Sequence, residues 1–274
     1  MTTVLITGTS SGIGRATVRR LARRRDLTVY ATARKVEAIA DLADTGARLL
    51  PLDVTDEASM RAAVAAVEAE HGQVDVLVNN AGYGEYGPIE ETPVDRVRAQ
   101  FETNVFGLSR LTQLVLPGMR RAGRGRIVNV SSMGGRLVFP GGGYYHASKY
   151  AVEAISDALR QEVRPFGVDV AIVEPGLIRT GFGAVAASSL GSGTTPDGPY
   201  RTMTETVDRV MAASYENKLL AATPETVARV IERAVTARRP RTRYLVTAAA
   251  WAMVHTRRLL GARFFDGVNR LQFR

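Results

Sequence analysis

Thr3-Val4-Leu5-Ile6-Thr7-Gly8-Thr9-Ser10-Ser11-Gly12-Ile13-Gly14 is a short apolar run, a glycine-rich turn and the start of an amphipathic segment. That succession reads as strand, tight turn and helix. Glycines at such a turn let backbone approach a phosphate, and the helix N-terminus beyond it favours negative charge. The same turn without a ligand would be a plain strand-to-helix connection, so its meaning depends on the rest of the chain.

Working outward, similar runs recur at Val4–Thr7, Thr28–Thr32, Arg48–Leu52, Val74–Asn79, Gly125–Ser131, Asp169–Glu174 and Tyr244–Val246. The first six are continuous apolar runs, as strands buried on both faces require. Helical periodicity separates them at Ile13–Arg25, Val36–Ala43, Glu57–His71, Val94–Arg121, Tyr145–Arg164 and Pro224–Ala237. Thr55 reads as a weak N-cap for the third helix, with Asp56 and Glu57 placing negative charge at its start. Alternation of this kind predicts an α/β fold: one doubly wound, Rossmann-type parallel sheet of about seven strands with helices on both faces. Its ligand crevice is expected at the carboxyl ends of the strands. Residues 1–274 read as a single domain. Residues 181–220, whose first half is rich in Gly, Ser, Thr and Pro, read as a substrate lid, and 247–274 as a C-terminal helical extension.

The 274 residues are 45% hydrophobic and 23% charged, an ordinary globular balance. There is no cysteine, which excludes disulfides, thiolate metal sites and cysteine nucleophiles. His71, His146 and His255 are too scattered for a metal site, so none is expected. The net charge of +9 is almost all arginine, since the only lysines are Lys35, Lys149 and Lys218. Composition bias explains that charge better than a nucleic-acid surface, because no basic run with interleaved aromatics appears. Thr3–Thr7 already reads as a strand, so no leader is visible, and Ala248–Val254 is far short of the ~20 residues a span needs. No transmembrane segment and a cytoplasmic location are expected.

The spacing Gly8-x-x-x-Gly12-x-Gly14 resembles the cofactor loop of the short-chain dehydrogenase/reductase family. Further motifs follow in that family's order: Asn79-Asn80-Ala81-Gly82 after the fourth strand, Asn104 in the long helix, Ser131-Ser132 ending the fifth strand, Tyr145-His146-Ala147-Ser148-Lys149 opening a helix, and Pro175-Gly176 with Thr180 after the sixth strand. With 9 tyrosines and three lysines, Tyr-x-x-x-Lys arises by chance only roughly 0.1 times. The resemblance implies an oxidoreductase moving hydride between a nicotinamide and a carbonyl/alcohol pair.

Tyr145 and Lys149 are four residues apart and share one helix face. A phenol has a pKa of about 10, and a neighbouring ammonium is expected to lower it. Tyr145 can then serve as general acid in reduction or base in oxidation. The resemblance assigns Ser132, thirteen residues earlier, to the substrate oxygen, and Asn104 to a proton-relay water; Ser131 reads as structural. It also implies cofactor contacts from Gly8, Ser10, Ser11, Gly12, Ile13, Gly14, Asp53, Val54, Asn80, Ala81, Gly82, Tyr145, Lys149, Pro175, Gly176, Ile178 and Thr180.

NAD enzymes of this architecture usually end the second strand on an acidic residue that holds the ribose 2′-hydroxyl. Here Ala33 stands at that place and Arg34 follows, where a 2′-phosphate would sit. NADP(H) is the expected cofactor.

The stretches Thr28–Arg34, Asn104–Gly107 and Pro165–Val168 resemble the hydroxysteroid/retinol dehydrogenase-like branch. Phe139, Tyr144, Phe182, Val185, Leu190, Tyr200 and Met203 are the candidate pocket wall, which suggests a lipophilic ketone, aldehyde or alcohol. The tail mixes Trp251, Val254, Leu259, Leu260, Phe264 and Phe265 with Arg257, Arg258, Arg263 and Arg270. It reads as pocket cover or subunit contact before a membrane-surface helix. A homodimer or homotetramer and no nucleic-acid partner are expected. Two other functions stay open: a cofactor-binding regulatory or scaffold protein, and a basic nucleic-acid or membrane-surface binder.

Overall fold

In the computed structural model, which describes residues 1–273, Val4, Leu5 and Ile6 of the first strand are all fully buried. Successive strand side chains point to opposite faces, so this strand must be covered on both. Among the described residues seven strands form one parallel sheet: β1 (Thr2–Ile6), β2 (Leu27–Ala33), β3 (Arg48–Pro51), β4 (Val76–Asn79), β5 (Gly125–Val130), β6 (Val168–Glu174) and β7 (Arg243–Leu245). Their order is β3-β2-β1-β4-β5-β6-β7. The helices are α1 (Gly12–Leu21), α2 (Glu57–His71), α3 (Val94–Phe101), α4 (Leu108–Ala122), α5 (Gly143–Val163), α6 (Phe182–Ser192), α7 (Arg201–Glu216), α8 (Pro224–Thr236) and α9 (Ala248–Gln272), the last broken at Gly261.

Two apolar layers cover the sheet. Val4, Ile6, Val29 and Ala31 pack against Val18 and Leu21 of α1 and Val227 and Ile231 of α8. Leu5, Leu77 and Ile127 face the other way, onto Met60, Val64 and Val67 of α2 and Leu111, Val115 and Met119 of α4. This is the doubly wound fold expected from the pattern of runs.

Four local expectations need correction. The segment Val36–Thr45 is a 3₁₀ helix, not an α-helix. The N-cap of α2 is Asp56, whose Oδ1 accepts from the backbone of Ala58 and Ser59, while Thr55 is turned back onto Asp53. The long helix expected over Val94–Arg121 is interrupted by a π-helical turn at Glu102–Gly107. Within the Gly- and Ser-rich stretch, Phe182–Ser192 is helical because Ala186 and Leu190, four residues apart, share one buried face. Arg274, the last residue of the expected C-terminal extension, lies outside the described residues.

β1 sits between β2 and β4, so connections leave it toward opposite faces of the sheet. At this switch point the helices that follow β1 and β4 pack on opposite faces of the sheet, and the crevice opens between them. Ile6 is in register with Val78, and the Thr7 amide donates to the Val78 carbonyl at 3.1 Å. The glycine turn and the Asn79–Gly82 loop therefore leave the sheet side by side.

Candidate active site

The glycine turn is held rigidly from behind. Gly8 has φ +69, and a Cβ there would lie 2.8 Å from Ala81 Cα; one on Gly14 would lie 2.3 Å from the Gly8 carbonyl oxygen. Side chains at these positions would push the two loops apart. The Asn80 side-chain amide donates to the carbonyls of Thr7 (2.9 Å) and Gly8 (3.0 Å), and Thr7 Oγ1 accepts from the amides of Asn80 and Ala81. Asn80 thus spends its side chain on the loop. Ser11 is the N-cap of α1 yet makes no capping bond, and the first turn contains no acidic residue. The helix end is left open to an anion.

Ser132 follows the end of β5 and begins a 3₁₀ turn, Met133–Gly135, with its Oγ accepting from the Gly134 amide at 3.0 Å. Tyr145 and Lys149 share the inner face of α5 and are 7% and 6% exposed. The phenol of Tyr145 is within reach of the Ser132 hydroxyl. Lys149 Nζ donates to the Val130 carbonyl at 3.0 Å and sits 6.0 Å from the Tyr145 ring centroid. The same geometry brings all three side chains to the carboxyl end of β5.

The charges differ from the sequence expectation. Burial pushes the Tyr145 phenol up to about 12, and only the Ser132 hydrogen bond pulls it back. Burial also lowers Lys149 to about 8, against the pull of the Glu153 carboxylate one turn further along α5. The expected depression of Tyr145 is therefore not found: desolvation of the phenolate dominates, and Lys149, 6.0 Å from the ring centroid and itself costly to bury, does not offset it. Glu153 in turn is held up by its burial and by Glu174. Arg243 Nε bridges Glu153 and Glu174 at 3.1 Å each.

Asn104, at 1% exposure, lies in the π-helical turn. Its amide donates to the Tyr83 carbonyl (2.9 Å) and to Ser148 Oγ (3.1 Å), and its oxygen accepts from the Tyr83 amide (3.1 Å). The side chain is held by the Tyr83 backbone and the Ser148 hydroxyl and does not line the cleft. π-Turns frequently mark functional sites, but periodicity alone gave no sign of this one.

A cavity of about 600 Å³ runs along the carboxyl ends of the strands. All the expected cofactor contacts line it, including exposed Arg34 beside Ala33, Asp53 and Val54 after β3, and Pro175, Gly176, Ile178 and Thr180 after β6. Of the expected pocket wall, Phe139, Phe182 and Val185 line it and four residues do not. Tyr144 donates to the Ile89 carbonyl, and Tyr200 is engaged with Glu90. Leu190 and Met203 pack behind, in the cluster under Tyr86 and Tyr145. The wall is completed by Tyr86, Val207, Met211, Tyr215, Met253 and Phe273. Val207, Met211 and Tyr215 lie in the amphipathic run from Tyr200 to Leu220, and Met253 and Phe273 in the tail read as pocket cover; Tyr86 alone carried no sequence signal.

His146 also escaped the sequence reading. Its ring is 3% exposed and stands among Tyr86, Phe139 and Tyr145. Nδ1 donates to the Gly134 carbonyl at 3.1 Å, which ties the Ser132 turn to the start of α5. Burial lowers its pKa to about 4.

The short chain dehydrogenase family model matches residues 2–189. The chain belongs to that family. A short-chain dehydrogenase of Streptomyces avermitilis has the same fold, with TM-score 0.80 and 34% identity over 98% of both chains. The 3-ketodihydrosphingosine reductase of Bacteroides thetaiotaomicron is 45% identical over 180 residues, 65% of each chain. An uncharacterized oxidoreductase of Escherichia coli strain K12, YbbO, is 37% identical over 273 residues, 97% of this chain and 93% of that one. Similar solved structures hold either cofactor. A family member from Burkholderia phymatum is in complex with NAD (26% identity, TM-score 0.80, 95% of both chains). A serine dehydrogenase is complexed with NADP⁺ (30% identity, TM-score 0.75, 89% of this chain and 93% of that one). The chain is thus an oxidoreductase of a nicotinamide-binding family.

His146 predicts an acid sensitivity. Its folded pKa of about 4 lies below the ordinary 6.5, so between these values the unfolded chain binds a proton that the folded chain refuses. Stability is full above pH 6.5 and declines as pH falls toward 4, by about 3 kcal/mol. In His146→Asn, which keeps a donor for Gly134, urea midpoints should lose this part of their acid dependence. Equal acid dependence in the two proteins would contradict the assignment.

Proposed function

We propose that this chain is an NADP(H)-dependent reductase that interconverts a lipophilic ketone or aldehyde with its alcohol. The observation that carries the reading is a buried Tyr145 next to Ser132 and Lys149, facing an aromatic and aliphatic cavity. With its pKa raised to about 12, the phenol is almost wholly protonated at neutral pH. That state suits a general acid for carbonyl reduction. The Bacteroides relative is a 3-ketodihydrosphingosine reductase, which supports an apolar ketone substrate here.

A bound reduced nicotinamide supplies the hydride. The glycine turn and the amides at the start of α1 hold the diphosphate, and Arg34 pairs with a 2′-phosphate where Ala33 leaves no carboxylate to repel it. Asp53 and Val54 flank the adenine, and Lys149 holds ribose hydroxyls. Ser132 donates to the substrate oxygen as negative charge develops there, and Tyr145 delivers its proton to that oxygen. Lys149, as an ammonium, stabilises the phenolate left behind. Asn104 fixes the loop at Tyr83 and the π-turn beside Lys149, where a relay water can reprotonate the site. We read residues 1–274 as one domain in which 181–220 form the lid over Tyr145 and 247–274 the C-terminal extension.

Titration with NADPH and NADH, followed by nicotinamide fluorescence, tests the cofactor. NADPH should bind at least about tenfold more tightly, as a charge-assisted contact of roughly 1.5–3 kcal/mol implies. Arg34→Asp should abolish or reverse the preference, whereas equal affinities in the parent protein would refute it.

The pH profile of ketone reduction tests the electrostatics. Lys149 is charged below about 8 and loses its proton above it, so kcat/KM should decline above about pH 8, approaching tenfold per unit. Because Glu153 raises the Lys149 pKa, Glu153→Gln should move this limb to lower pH. An unmoved or upward-shifted limb would exclude Lys149 as the titrating group.

A further inference from the structure

The C-terminal helix carries apolar residues on both its inner and its outer faces. On the inner face Ala249, Ala250 and Met253 line the cavity, as does Phe273 just past the helix end, and Val254 and Phe265 are buried. Thr247 caps the helix by accepting from the Ala250 amide, and a Cβ on Gly176 would lie 2.3 Å from Thr247 Oγ1. The helix is thereby seated against the end of β6 at the edge of the site. On the outer face Trp251, 57% exposed, stacks on His255 at 4.2 Å, with Leu259, 80% exposed, one turn on. Beyond the break at Gly261, Phe264, Val268 and Leu271 fall on one stripe at helical spacing and are all exposed. Arg258, Arg263 and Arg270 are exposed beside these two stripes, and Arg257 is half-buried. Against these four arginines the helix has one acidic residue, Asp266. Among the described residues no helix is long and apolar enough to cross a membrane.

We propose that the outer face of Ala248–Gln272 docks on an anionic lipid surface, with Trp251, Leu259, Phe264 and Leu271 entering the interface and the arginines meeting lipid headgroups. Interfacial helices combine an apolar stripe, an aromatic anchor and flanking arginines, and the two segments on either side of Gly261 each carry an apolar stripe with arginines beside it. A second copy of the chain is the poorer occupant. A two-fold contact brings the same patch of both copies together, so it would set arginine against arginine with one aspartate on each side to offset them. Since Ala250 and Met253 on the inner face line the cavity, docking places the reductase site beside the bilayer, where a lipophilic ketone is dissolved. This last consequence rests on the proposed substrate class; the docking itself does not.

Flotation of the full-length protein with vesicles tests the docking without any turnover. The protein should float with phosphatidylcholine vesicles that contain phosphatidylglycerol, and at least about tenfold less with phosphatidylcholine alone. Added salt should weaken the binding. Arg258→Gln/Arg263→Gln/Arg270→Gln, at exposed positions, should lose the preference for the anionic lipid. Trp251→Ser/Leu259→Ser/Phe264→Ser should lose flotation while its NADPH affinity and light-scattering mass stay unchanged. No flotation with phosphatidylglycerol overturns the proposal. So does a drop in mass in the serine variant, which would make the face a subunit contact. Flotation of the parent protein without reduction of any lipophilic ketone would leave the docking intact and refute only the substrate reading.

Discussion

The phenol of Tyr145 is enclosed by the rings of Tyr86 at 5.6 Å, Phe182 at 5.2 Å and His146 at 5.6 Å. Removing it from water penalises the phenolate far more than the phenol, and the rest of the site is arranged around that asymmetry. Ser132 offers the one hydrogen bond that favours ionisation. Lys149 offers a cation, but one whose own burial lowers its affinity for a proton. Two partly opposed desolvations therefore set the proton inventory, with Glu153, Glu174 and Arg243 behind them.

That arrangement depends on precise placement by the backbone. Asn80 and Thr7 lock the glycine turn to the end of β4. Asn104 locks the backbone at Tyr83 to α5 through Ser148. His146 locks α5 to the Ser132 turn. Buried polar groups of this kind are costly unless paired, and pairing them fixes one relative position for three loops. The polar ladder Thr112–Asn79–Asn129–Ser156 does the same for the ends of β4 and β5 one layer below.

Much of this was legible in the sequence because period and chemistry coincide there. Buried parallel strands show as continuous apolar runs, and Glu57–His71 has the same ends in pattern and structure. The Tyr145 and Lys149 spacing gives a shared helix face without any tertiary knowledge. What was hidden depends on contacts between distant segments. A π-turn at Asn104 leaves the apolar period of its helix almost intact. His146 is unremarkable until Gly134, twelve residues earlier, is brought to its ring. The glycines and serines of 182–192 conceal a helix that exists only because Ala186 and Leu190 find the cluster under Tyr145. Tyr144 and Tyr200 have the right character for a pocket wall, yet their hydroxyls are satisfied outside it.

Burial keeps Tyr145 protonated, and ionisation of the tyrosine itself reports on this most directly. Phenolate absorbance of the cofactor-free protein should be titrated alongside Tyr145→Phe, and the difference between the two curves isolates one residue. No Tyr145 phenolate should form as the pH passes through 10, with ionisation near the raised value of about 12. A phenolate at or below the ordinary value of about 10 that vanishes in the variant would contradict it, and would show that Lys149 outweighs burial.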